Sequence, residues 1–230
     1  MINAVLNKKA DIQRNEDVKT SSILGLLLLL PAEMFWKLLR SSMSDTHMLP
    51  ASSGDILNSE FWPHWNVDNK DTEVTNQKLV EPDVFIEFEN FDLIIEVKLD
   101  GNFQYSDQWT NEVCAYKSNI STEKELIFVA LGGNASLDSI LLTKGRAKGT
   151  TVHKCSWNRL LEVVHSEVEY QEHATYPYDR HLLRILHMIE KAYTIYGERV
   201  TLWMESIPTS LLNIDCNCLH KFKETWNQLK

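Results

Sequence analysis

Glu81-Pro82-Asp83-Val84-Phe85-Ile86-Glu87-Phe88-Glu89-Asn90-Phe91-Asp92-Leu93-Ile94-Ile95-Glu96-Val97-Lys98-Leu99 is the stretch on which the fold turns. From Asp83 to Phe88 apolar side chains alternate, so that Val84, Ile86 and Phe88 share one face and Asp83, Phe85 and Glu87 the other. Past a turn near Glu89-Asn90, Phe91 to Leu99 alternates again, with Asp92, Ile94, Glu96 and Lys98 on one face and Leu93, Ile95 and Val97 on the other. So short a connection predicts a hairpin. The two-residue period forces Glu96 and Lys98 onto one face, and a tight hairpin can bring Asp83 beside them. Two carboxylates and an amine gathered there would be costly if buried without partners. Around a hard divalent cation they make sense, because Mg²⁺ takes oxygen ligands from one or two carboxylates, waters and a substrate phosphate. A cation so held polarises a phosphoryl oxygen and lowers the pKa of its bound water. A neighbouring lysine can orient the attacking water or stabilise the transition state electrostatically. An exposed hairpin with a cross-strand ion pair would use the same residue types for about 0.2–1 kcal/mol of stability.

Upstream, Asn15-Glu16-Asp17 starts a helix running to Leu30, with acids in the first turn, where the helix dipole favours them. Glu16, Thr20, Ile23, Leu27 and Leu30 recur on one helical face, so a carboxylate ends an apolar stripe. Pro31 breaks this helix, and Ala32 to Leu39 forms a second. Between Ser41 and Lys78 the signals are weak. Pro50, Ser52-Ser53-Gly54 and Pro63 mark loops, a strand is expected within 72–80, and Trp62 and Trp65 are expected to pack as a satellite core. Downstream, Tyr105 to Ser118 is helical in pattern and lines up Gln108, Glu112 and Tyr116 at four-residue steps. Leu126 to Leu131 is a continuous apolar run ended by Gly132-Gly133, which predicts a buried strand. Thr150 to His153 predicts another strand, and Ser156 caps a helix to about Ser166. Asp179 to Tyr196 is a long amphipathic helix with Leu182, Leu183, Ile185, Leu186 and Ile189 inward and Gly197 as its stop. The order predicts an α/β fold with a central mixed sheet flanked by helices.

Composition sets the outer limits. At 230 residues, 43% apolar and 24% charged, the chain is ordinary for a globular protein, which excludes disordered and fibrous classes. Four cysteines make no disulfide framework. The longest apolar run, Ile23 to Leu30, is far short of the ~20 residues needed to span a bilayer, so a cytoplasmic protein with no membrane partner is expected. The net charge of −9 is concentrated: residues 61–120 hold 4 basic and 12 acidic side chains, a net of −8. Leu141 to Leu160, by contrast, carries Lys144, Arg146, Lys148, Lys154 and Arg159 and no acid. An acidic whole argues against indiscriminate nucleic-acid binding, but not against a phosphate site where a metal neutralises the acids and a basic strip meets the backbone. The strip at Lys144, Arg146 and Lys148 would also serve as a flexible turn between strands. Cys216, Cys218 and His220 lack both zinc-finger spacing and a second ligand pair.

Pro82-Asp83 followed thirteen residues later by Glu96-Val97-Lys98 resembles the PD…ExK signature of the PD-(D/E)XK nuclease superfamily. Its placement matches, since Asp83 opens one predicted strand and Glu96 and Lys98 end the next. The helix with Gln108 resembles the one carrying a glutamine in many members, and the helix with Glu16 the one whose glutamate often completes the metal site. Glu16 through Leu30-Pro31 looks like the opening of small nucleases linked to defence against foreign DNA. The resemblance covers roughly residues 15–166. It implies a restriction-endonuclease-like core with extra C-terminal helices, the nuclease domain spanning 1–200 and a C-terminal extension, 201–230, packed on it. It further implies Mg²⁺ or Mn²⁺ held by Asp83 and Glu96 with Glu16 as a third contributor, Lys98 as catalytic, and Gln108 positioning water, lysine or phosphate. Nucleic acid, DNA before RNA, is then the partner, and Lys144, Arg146 and Lys148 its candidate contacts. A homodimer or a subunit of a defence complex are the assemblies in view, with Trp203, Phe222 and Trp226 available as an interface. One departure is Glu112, where some relatives carry the aromatic of a Gln-x-x-x-Tyr pattern. Glu87 and Asp92 stay open as alternative ligands, and a catalytically silent binding or assembly subunit is the rival to a nuclease.

Overall fold

The computed structural model describes residues 2–66, 79–120, 122–174 and 179–200. After a short helix α1 (Ile2–Leu6) comes α2 (Glu16–Leu27), where the Asn15 side chain accepts from the Val18 N–H at 3.0 Å and caps the helix. Pro31 leads into α3 (Ala32–Ser41). Strand β1 (Ile56–Phe61) follows, then the short β2 (Trp65–Asn66) and β3 (Leu79–Val80), the hairpin β4 (Val84–Phe88) and β5 (Phe91–Val97), and helix α4 (Ser106–Asn119). Strands β6 (Glu125–Leu131), β7 (Ile140–Leu141) and β8 (Thr151–Cys155) complete the sheets, and α5 (Trp157–His173) and α6 (Arg180–Ile195) the helices. All of this belongs to one compact unit, Met1–Arg199.

Six strands make the main sheet in the order β1-β4-β5-β6-β8-β7, while β2 and β3 pair separately. The sheet is mixed: β4 runs antiparallel to β5, whereas β5, β6 and β8 are mutually parallel. It is α/β, consistent with a restriction-endonuclease-like core. Every residue of β5 is buried, as a strand covered on both faces by helices must be. On one face Trp36 of α3 packs tilted against Phe91 and Phe35 against Phe88, their ring centroids 4.6 and 6.1 Å apart. Helix α3 packs on α5, and α5 and α2 both pack on α6. On the other face Trp109, Val113 and Tyr116 of α4 cover Phe85, Ile94 and Phe128. The hairpin register pairs Val84 with Ile95 and Phe85 with Ile94, so Asp83 and Glu96, one step further, emerge together on the α4 face.

The elements differ from the sequence expectations in instructive places. β1 carries no alternation because its four inner residues are exposed; backbone pairing with β4 holds it at the sheet edge. α5 continues to His173, beyond the expected stop near Ser166. Trp65 belongs to the α4-side core, edge-on to Phe85 at 5.2 Å, rather than to a satellite. The strand expected within 72–80 is seen only at Leu79–Val80; the remainder lies outside the described residues, as do 201–230 with Trp203, Cys216, Cys218, His220, Phe222 and Trp226. Among the described residues no helix is long and apolar enough to cross a membrane.

Candidate active site

Glu96 sits at the carboxyl end of β5, 1% exposed, and its neighbours converge on it. In sheets of this kind ligands bind outside the carboxyl ends of the parallel strands. Lys98, two residues on and therefore on the same face, places its ammonium 2.5 Å from Glu96 Oε1. The same ammonium lies 3.2 Å from Glu16 Oε1, and the Leu99 N–H donates to Glu16 Oε2 at 3.1 Å. The glutamate that opens α2 is thus tied to the strand end by two bonds. Asp83 is 8% exposed; its Oδ2 accepts from the Val97 N–H at 2.8 Å and its Oδ1 from the Trp62 indole N–H at 3.2 Å. From α4, the Gln108 amide donates to Glu96 Oε1 at 2.7 Å.

Glu112, one helical turn beyond Gln108, is 1% exposed and within hydrogen-bonding reach of Glu96. Asp83 reaches Glu96 from the other side, so three carboxyl groups stand in series with Glu96 in the middle. Burial first, and then the charge of Glu96, pushes the Asp83 carboxyl up to about 8. The same two causes hold Glu112 well above the carboxylate range, with Gln108 offsetting only a part. Burial opposes the charge of Lys98, yet Glu96, Glu16 and Asp83 together outweigh it and keep the ammonium above its ordinary value. At neutral pH Asp83 therefore holds its proton while Lys98 is charged, and burial biases Glu112 toward its protonated form.

Two glycines make the close approach possible. Gly132, with φ of 76°, ends β6 against Lys98: a β-carbon there would stand 2.1 Å from the Lys98 carbonyl oxygen. That carbonyl accepts from the Trp157 indole N–H at 3.0 Å. At Gly133 (φ 63°) a β-carbon would meet the Lys98 β-carbon at 2.7 Å. Trp62 takes up a left-handed backbone, φ 52°, which a tryptophan adopts only under constraint. Its N–H donates to the Asp83 carbonyl at 3.0 Å while its indole reaches the Asp83 carboxyl, so the strained residue grips Asp83 twice.

Asp83, Glu96, Lys98, Gln108 and Glu16 thus meet at one point. Asp92 and Glu87 do not. Four residues back along β5, Asp92 is roughly 13 Å away, accepting from the Tyr116 hydroxyl at 2.7 Å and facing Lys124 at 3.7 Å, while Glu87 pairs with Lys124 at 2.9 Å. The basic strip is docked rather than flexible. Gly145–Ala147 forms a 3₁₀ turn with Ala147 fully buried, and Arg146 donates to the Ser118 hydroxyl and the Lys117 carbonyl at the end of α4. Lys144 pairs with Asp107 at 2.7 Å in the first turn of α4, and Lys148 is exposed.

Glu112 is the residue whose role the sequence left unassigned. Its signal was the four-residue step from Gln108 on the helix after the ExK strand. Glu112 Oε2 and Glu96 Oε2 are both buried and accept from no N–H or hydroxyl group, which leaves a carboxyl proton as the donor the chain itself can offer them. Such oxygens are satisfied by a carboxyl proton, an ordered water or an ion, and an all-oxygen donor set would suit a hard cation such as Mg²⁺. Among the described residues no group of three or more His, Cys, Asp or Glu is arranged as a ready-made cage. As placed, the Lys98 ammonium lies between Glu96 and Glu16 and supplies the positive charge.

Fold and site together define an α/β protein with a carboxylate–lysine cluster at the carboxyl ends of its parallel strands. The chain is similar to an uncharacterized protein of Pasteurella multocida (strain Pm70), 25% identical over 241 residues that cover 97% of this chain and 86% of the relative. No family model matches the chain, and no solved structure matches it.

Proposed function

We propose that the protein is a metal-dependent nuclease that hydrolyses phosphodiester bonds of DNA, acting in the cytoplasm in defence against foreign DNA. One observation carries the proposal: Asp83 and Glu112 crowd Glu96 from either side, beside a lysine, with Glu96 Oε2 and Glu112 Oε2 buried and bonded to no N–H or hydroxyl group. Glu96 and Asp83, with Glu112 behind them and Glu16 across Lys98, would hold Mg²⁺ or Mn²⁺. Bound there, such a cation supplies a polarised phosphoryl oxygen and a water of lowered pKa. Lys98, kept charged by its carboxylate neighbours, serves as an electrostatic stabiliser of developing negative charge and not as a proton acceptor. Gln108 is a positioning residue, fixing the Glu96 carboxylate through Oε1. Lys144 and Arg146, near opposite ends of α4, and the exposed Lys148 would give the nucleic-acid backbone a cationic track.

The test is cleavage of plasmid and single-stranded DNA, with Mg²⁺ or with EDTA, by the wild type, Asp83→Ala and Lys98→Ala. Mg²⁺-dependent cleavage by the wild type, reduced in either variant by at least about 10²–10³-fold, is expected. Equal activity in all three proteins rejects the assignment. No cleavage, together with no calorimetric binding of millimolar Mg²⁺ or Mn²⁺, would establish instead a silent binding or assembly subunit.

A further inference from the structure

Between Lys98 and Gln108 the chain passes through Leu99-Asp100-Gly101-Asn102-Phe103-Gln104-Tyr105, and in this connection two large aromatics stand in solvent. Phe103 is 65% exposed and Tyr105 62%. Their exposure is imposed by Gln104, which faces inward. Its amide donates to the Glu96 carbonyl at 3.3 Å and the Gly132 carbonyl at 3.2 Å, its side-chain oxygen accepts from the Trp109 indole at 2.9 Å, and its own N–H donates to the Gly133 carbonyl at 3.3 Å. Tyr105 is extended, φ −125° and ψ 124°, immediately before α4. With Gln104 pinned to the backbone of Glu96, alternation along an extended chain turns its two neighbours away from the protein.

These rings therefore flank the site, and the bonds of Gln104 fix them there. Two residues of extended chain span about 6.6 Å, close to twice the ~3.4 Å rise of stacked bases in one strand. Rings standing off the backbone at that spacing would admit one flat base between them. Exposed aromatics beside a phosphate-handling site are what a sequence-tolerant single strand stacks on, whereas in a duplex the bases are already stacked on each other. We infer that Phe103 and Tyr105 form a stacking clamp for an unpaired nucleobase, making single-stranded nucleic acid the substrate class. This inference rests on the nuclease proposal for the choice of ligand, but its test does not use catalysis.

Binding of a fluorescein-labelled oligodeoxynucleotide, single-stranded or as a duplex, is measured by anisotropy in EDTA at low salt. Phe103→Ala and Tyr105→Ala are each expected to weaken single-strand binding roughly five- to 150-fold, to leave duplex affinity unchanged and to leave the thermal melt unchanged, because both side chains are exposed. Phe103→Trp should retain the affinity and Phe103→Leu should lose it, which separates stacking from apolar contact. Aromatic-dependent binding without Mg²⁺-dependent cleavage would uphold the clamp and reject the nuclease. Cleavage with binding indifferent to all four variants would do the reverse. Absence of oligonucleotide binding by the wild type overturns the clamp, as does a variant that dissociates a dimer in sedimentation while binding nucleic acid normally.

Discussion

Asp83→Asn should stabilise the metal-free protein at neutral pH. The Asp83 carboxyl titrates near pH 8 in the folded state, raised by burial and then by Glu96, against 3.8 unperturbed. Below pH 3.8 folded and unfolded chains both carry the proton, and the group contributes no pH dependence. Above it the unfolded chain ionises and the folded one does not, so stability falls as pH rises toward 8. At pH 7 the gap is 7 − 3.8 = 3.2 units, and at 1.36 kcal/mol each the penalty is about 4 kcal/mol. Asparagine copies the protonated acid: its oxygen can accept from the Val97 N–H and its amide can donate toward Glu96. What it cannot keep is the Trp62 indole bond at 3.2 Å, a loss of about 1 kcal/mol. The variant should thus be less stable than the wild type by about 1 kcal/mol near pH 4 and more stable by about 3 kcal/mol at pH 7, or ~6–12 °C in melting temperature at this chain length. Urea unfolding followed by circular dichroism in EDTA, repeated across that range, measures the difference. Parallel pH profiles for the two proteins would refute the placement of a protonated Asp83 in the folded state.

Three further outcomes follow from the geometry. Glu112→Gln should fold, resist alkaline destabilisation better than the wild type in EDTA, and lose part of the stabilisation that Mg²⁺ gives, read as a smaller rise in melting temperature on titration with the metal. Gly132→Ala would put a β-carbon 2.1 Å from the Lys98 carbonyl at a positive φ; a loss above about 1–3 kcal/mol by urea unfolding is expected, with cleavage falling in step because Lys98 is displaced. Lys19→Met removes the buried ammonium that pairs with Glu198 and lies 4.2 Å over the Trp157 ring, leaving a buried carboxylate behind. It should cost about 3–5 kcal/mol, most of it recovered in Lys19→Met/Glu198→Leu.

What the sequence made legible was whatever follows from short-range period. The β4–β5 hairpin, the shared face of Asp83, Glu96 and Lys98, and the Gln108–Glu112–Tyr116 stripe all come from spacings of two or four residues, and the structure places them so. Edge strands escaped, because β1 and β7 bury too little to leave an alternating pattern and owe their form to backbone bonds with a neighbour. Long-range partners escaped too. Nothing in the spacing of Trp62 announces that its left-handed backbone aims an indole at Asp83, and nothing local to Lys19 announces Glu198, 179 residues away. Glu16 lies between these cases: its position at a helix start was legible, but its two bonds to Lys98 and Leu99 depend on how α2 packs.

The position of Glu112 follows from a match between two repeats. Along α4, Gln108 to Tyr116 spans eight residues, about 12 Å; along β5, Glu96 back to Asp92 spans four, about 13 Å. Helix and strand can therefore be fastened at both ends, and they are, by Gln108 to Glu96 at 2.7 Å and by the Tyr116 hydroxyl to Asp92 at 2.7 Å. With the ends fixed, the middle of the stripe has no choice but to face the sheet beside Ile94, in a core of Trp109, Val113 and Phe128. An apolar residue there would serve packing, and a carboxyl with a buried, unpartnered oxygen works against it. The register does not need Glu112 and the apolar core gains nothing from it, which is why the nuclease proposal gives this carboxyl a part in holding the cation. The same holds for Glu96 Oε2: the two carboxyls lie within hydrogen-bonding reach of each other, so in the metal-free protein one shared proton serves both, and under the nuclease proposal a bound cation would take that proton's place.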